Sequence, residues 1–119
     1  EWGRDDNAIL LSMDGVVMHR DDGYWWKIDV KQVPVTSYQP AGVKYNLTLH
    51  NSSNLRIFGY DNAHRPKLRV GRAGKARNEA YDHVHKSASG KGSPYQFVSC
   101  TKLLEDFFVG VDEVIHKLD

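Results

Sequence analysis

Apolar and polar positions alternate with a period of two through the first half of the chain and recur with a helical period at its end. From Ala8 to His19, Ile9, Leu11 and Met13 fall on one side of an extended backbone, and Val16 and Met18 continue past Asp14-Gly15. A first strand is expected there, with Asp14-Gly15 as either a tight turn or a bulge. Asp21-Asp22-Gly23 is a turn signal. Tyr24 to Val33 is a second strand, in which Trp26, Ile28, Val30 and Gln32 alternate with Trp25, Lys27, Asp29 and Lys31. Pro34 ends it because proline has no N–H to give to a ladder. Tyr38 to Gly42 is a loop, Tyr45 to Leu49 begins a third strand, Asn51 to Asn54 is a turn cluster, and Leu55 to Tyr60 returns as a fourth strand. Short connections between successive strands predict antiparallel neighbours, hence a meander.

The pattern then changes. Residues Arg65 to Ala80 are rich in arginine and lysine and broken by Gly71 and Gly74, too long a connection for a hairpin turn. Ala80 to Lys86 reads as a short strand, and Ser87 to Ser93 is small and polar, closed by Pro94. Ser99 is a natural N-cap for a helix on which Leu103, Leu104, Phe107, Phe108, Val111, Val114, Ile115 and Leu118 recur at helical spacing. Gly110 costs that helix about 1 kcal/mol relative to alanine. An isolated helix of this length is unstable in water, so its apolar stripe must cover the sheet. The predicted architecture is α+β. An antiparallel meander of about four to six strands carries one C-terminal helix, and residues 1–119 form a single domain. Its strands span about 8–60, its basic loop 65–80, its short strand 81–86 and its helix about 99–118.

Composition changes this picture in two places. The chain is 119 residues long, 40% apolar and 26% charged, ordinary values for a globular protein with one core. No run approaches the roughly 18 apolar residues of a membrane span, and no signal-peptide pattern is visible in a sequence that begins at Glu1. The single cysteine, Cys100, excludes an intrachain disulfide and fits the reducing cytoplasm. In the first turn of a helix its pKa is expected to be lowered, but with no histidine near it in sequence a thiol nucleophile is not expected. The net charge of +1 hides an asymmetry. Between Arg65 and Lys91 stand eight of the sixteen Lys and Arg residues, against only Glu79 and Asp82. A basic segment of this kind suits an anionic partner; the bland reading is a solvated loop.

The candidate chemistry lies on either side of that segment. Tyr81-Asp82-His83-Val84-His85 places two imidazoles one residue apart, on one face of a strand, with Asp82 and Val84 on the other. Gly59-Tyr60-Asp61-Asn62-Ala63-His64 contributes a third imidazole. Imidazoles beside positive charge suit proton transfer on a phosphodiester: a base takes the 2′-hydroxyl proton of RNA, an acid protonates the leaving oxygen, and a cation neutralises the charge that develops. His83, His85, His64 and Asp61 are the catalytic candidates, with Asp61 or Asp82 orienting an imidazole. Tyr60, Asn62, Arg65, Arg69, Arg72, Arg77, Tyr81 and Asp82 are the substrate-binding candidates. The same H-x-H spacing can chelate a divalent metal, with His64 or Asp61 as third ligand, which leaves a metal-dependent hydrolase as an alternative. A non-catalytic nucleic-acid- or protein-binding module is the other, and each histidine alone can equally be a polar-loop residue. Tyrosines at strand ends are often half-buried packing residues, and Asp61-Asn62 also fits a strand-ending turn. His19, His50 and His116 stand alone and carry no expected function; Trp25 and Trp26 are read as packing residues.

Four segments in order resemble the TumE family: Arg56 to His64, Tyr81 to His85, Pro94-Tyr95-Gln96-Phe97 and Leu103 to Phe108. Its members are small proteins classed as toxins of type II toxin–antitoxin modules, usually encoded beside a helix-turn-helix antitoxin. The resemblance implies a growth inhibitor acting on RNA or translation and held inactive by that antitoxin. Its motifs carry Tyr60, Asp61, Asn62, His64, Asp82, His83 and His85 as their polar positions. Many relatives have a shorter segment between the two histidine motifs than the one here. An exposed edge strand would serve to pair two copies as a homodimer or to accept the antitoxin.

Overall fold

A computed structural model describes residues 4–37, 39–62, 68–70, 76–78, 82–87 and 92–118, with 4–5, 68–70 and 76–78 described by their backbone. In chain order the elements are α1 (Arg4–Leu11), β1 (Val17–His19), β2 (Trp25–Gln32), β3 (Val43–His50), β4 (Arg56–Asp61), β5 (Leu68–Val70), β6 (Ala76–Asn78), β7 (His83–His85), β8 (Ser93–Pro94) and α2 (Cys100–Leu118). Six strands make one antiparallel sheet in the order β1-β2-β3-β4-β7-β8, and β5 and β6 pair separately. The meander is therefore as predicted, and the basic connection between β4 and β7 contains a small hairpin of its own.

The register follows from the alternation. Ile28, Val30, Val43, Tyr45, Leu47, Leu49, Phe58 and Tyr60 are buried, and their cross-strand partnerships put them on one face of β2, β3 and β4. Leu103, Leu104, Phe107, Val111 and Ile115 of α2 are buried against that face. Phe107 lies at the centre: it stacks on Phe58 with centroids 6.0 Å apart, and Trp26 meets its edge. Deleting a ring so completely enclosed costs about 3–5 kcal/mol.

The N-terminal reading requires correction. Residues 4–11 are helical, and the first strand contains only Val17–His19. Ala8-Ile9-Leu10-Leu11 is a continuous apolar run, so its period is ambiguous, and tertiary contacts decide it. Leu10 is fully buried. Asp6, one turn earlier on the same helix face, accepts the backbone N–H groups of Cys100 and Thr101, each at 2.7 Å. Ser99 accepts the N–H of Lys102 at 3.0 Å, as its N-cap reading predicts. Thus α2 has three of its four free N–H groups capped, two by a side chain more than ninety residues away. Gly15 (φ +83°) and Val16 both bond Ile28, so Asp14-Gly15 is a turn running into a bulge.

Candidate functional site

Because β4 and β7 are antiparallel with Asp61 opposite His83 and Gly59 opposite His85, the two imidazoles and the Asp61 carboxylate share one face of the sheet. That face is turned away from α2. His85 Nε2 lies 2.7 Å from Asp61 Oδ2, a diagonal contact between neighbouring strands, and both side chains are largely buried. A proton on Nε2 satisfies the carboxylate and leaves Nδ1 as the lone-pair nitrogen of a neutral ring. Nδ1 is buried and has no hydrogen-bond partner among the described residues. The His83 ring stands beside it, centroids 6.4 Å apart and tilted by 37°.

Gly92, which precedes β8, closes this pair from the sheet edge. A Cβ placed there would sit 2.7 Å from His85 Cε1 and 2.8 Å from His83 Cβ, closer than real Cβ atoms come. The missing side chain therefore lets the backbone lie directly against both histidines.

Asp82 faces the other way, as its alternation requires. It accepts the Tyr45 hydroxyl at 2.6 Å beneath the end of the sheet. Burial raises its pKa, an effect that the Tyr45 bond and the neighbouring His83 only partly offset. Burial likewise pushes the Tyr45 hydroxyl up, with the Asp82 charge adding to it. Between the two expected orienters, then, it is Asp61 that holds an imidazole.

The remaining candidates divide. Tyr60 is a core residue, its ring meeting Tyr95 at 4.7 Å and Phe58 at 5.4 Å. The Asn62 amide extends the ladder beyond β4, accepting from Tyr45 N at 2.8 Å and donating to Val43 O at 2.9 Å. Both side chains serve the fold. Arg69 and Arg77 are register partners in the β5–β6 hairpin. His64, Arg65, Arg72 and Tyr81 lie outside the described residues. Among the described residues no three His, Cys, Asp or Glu side chains are grouped to hold a metal. Cys100 departs from expectation: burial and the adjacent Asp6 carboxylate push its thiol up to about 12.

Sequence reasoning also missed a row of rings on the same face as the histidine pair. Trp25 stacks on His50 with centroids 4.0 Å apart and planes within 9°, and His19 stacks on Trp25 at 5.6 Å. His50 Nε2 meets Thr48 Oγ1 at 2.9 Å. Burial, with Lys27 and Arg56 nearby, holds the His50 pKa below the ordinary imidazole value. Only strand register could have revealed this row, since its members are far apart in sequence.

The family model described as Toxin TumE matches residues 12–115. No curated protein and no solved structure matches the chain. The matched stretch contains both strands of the histidine pair and most of α2. Two contacts join its segments: Tyr95 donates to Asp106 at 2.7 Å, and Phe97 stacks on Tyr45 at 6.0 Å.

Proposed function

The chain belongs to the TumE toxin family, and from that premise we propose that it inhibits growth by cleaving RNA through proton transfer at His83 and His85. Asp61 holds His85, and one imidazole takes the 2′-hydroxyl proton while the other protonates the leaving oxygen. Arg65, Arg69, Arg72 and Arg77 neutralise the phosphate; His64 and Tyr81, at the two ends of the basic segment, complete the site. The cognate helix-turn-helix antitoxin holds the protein inactive.

One observation carries this reading. In sequence the basic segment 65–80 begins four residues after Asp61 and ends three residues before His83, and these two are cross-strand partners. Short stretches of chain therefore connect both ends of the positive charge to the strands that carry the imidazoles. An RNA phosphate drawn there meets acid, base and cation together.

The test is to incubate the purified protein with single-stranded RNA and identify the product ends. His83→Ala and His85→Ala, folded by circular dichroism, should lose cleavage and growth inhibition. If both variants stay toxic at equal expression, proton transfer at these residues is wrong. The burial of His85 Nδ1 favours a second reading, a non-catalytic RNA-binding module in which the Asp61–His85 pair only shapes the site. It predicts salt-sensitive binding with no product formed.

A further inference from the structure

On the α2 side of the sheet, a groove of about 440 Å³ runs between the C-terminal half of α2 and the β4–β7 pair. Its α2 wall is made by Gly110, Glu113, Val114, Lys117 and Leu118. These positions are i, i+3, i+4, i+7 and i+8, one face of the helix over about 12 Å. Ile57 and Phe58 form the opposite wall, and Lys86 closes the end where β7 leaves the sheet. Leu118 is 60% exposed. Gly110 lets the helix backbone seat directly on Phe58, since a Cβ there would overlap the ring.

We propose that this groove docks the neutralising antitoxin through an amphipathic segment with aliphatic anchors and flanking carboxylates. The proposal rests on the toxin reading above. Two features select this occupant. The groove is elongated along a helix face, the shape that accepts a partner's i, i+3/i+4, i+7 anchors. Among the described residues its charged rim is two ammonium groups, Lys86 and Lys117, against one carboxylate, Glu113, so a partner segment bearing acids is electrostatically favoured over a basic one. Lys86 directly follows His85, so an occupant seated on it presses on the strand that carries both imidazoles.

The experiment uses the full chain and its purified cognate antitoxin. Lys117→Glu combined with Leu118→Glu changes two exposed positions at the end of α2. The pair should weaken antitoxin binding at least tenfold by titration calorimetry. Growth inhibition by the variant alone should stay at wild-type level, and co-expressed antitoxin should no longer rescue the cells. Wild-type affinity in this variant overturns the proposal. A changed oligomeric state of the free chain with antitoxin binding intact assigns the groove to a second copy and overturns it too. The toxin reading fails separately, if the wild-type chain does not inhibit growth while the affinity difference persists.

Discussion

His85 Nε2 and Asp61 Oδ2 lie 2.7 Å apart on adjacent strands, joined by a diagonal that only this register permits. The pair is largely buried, so its two members depend on each other in different ways. Asp61→Asn keeps the size of the side chain but replaces the carboxylate that holds the His85 ring. If His85 transfers a proton, RNA cleavage should fall by about 10²- to 10⁴-fold while the fold persists. A cleavage rate within threefold of wild type, with an unchanged thermal midpoint, would remove Asp61 from the mechanism.

Gly92→Ala should disturb the same pair from the other side. Its methyl group would overlap the His85 ring, and relieving that overlap moves either the ring or the edge strand. The expected cost is about 1–3 kcal/mol. Imidazole nitrogen chemical shifts for His85 should change while those of His19 and His116 do not. Unchanged His85 shifts would refute the contact.

Asp6 is predicted to stabilise α2 from outside it. Asp6→Ala should cost about 1 kcal/mol, in the range for loss of a helix cap, read as a lower urea midpoint. Burial alone would raise the Asp6 pKa, but the bonds from Thr101 and Cys100 outweigh it and the net shift is downward. Its contribution is therefore complete above the ordinary value of 3.8 and lost as pH falls through the lower folded value. The gap between wild type and Asp6→Ala should close in strong acid.

Asp82 should show the opposite sign. Its pKa is raised in the folded chain by burial, so whatever its protonated form contributes is present below 3.8 and lost as pH rises through the folded value. Asp82→Asn still accepts the Tyr45 hydroxyl but does not titrate. Relative to wild type it should gain stability as pH rises above 3.8, measured by urea unfolding across that rise. A constant difference would show that Asp82 does not titrate in this range.

Tyr45→Phe removes the hydroxyl that faces Asp82 and leaves a half-buried carboxylate without that donor. A loss of about 1–3 kcal/mol is expected. In an Asp82→Ala background Tyr45→Phe should cost less than it does in the wild-type chain, because the acceptor that the hydroxyl serves is already gone.

Local patterning determined much of this protein. The alternation in Trp25–Gln32 and the helical stripe from Leu103 to Leu118 produced the meander, the covered face and the sharing of one face by His83 and His85, because each rests on a repeat only a few residues long. Residue types alone also marked the basic segment and the family resemblance. The tertiary structure decided whatever depends on partners distant in the chain. Ala8 to Leu11 became helix because Leu10 and Asp6 find their contacts in the core and on α2. Asp61 rather than Asp82 came to hold His85 because strand pairing brings its carboxylate to the ring while alternation turns Asp82 toward Tyr45. Tyr60 and Asn62, polar in sequence, were drawn into packing and the ladder, since a buried strand end must satisfy its backbone before any side chain can serve a substrate.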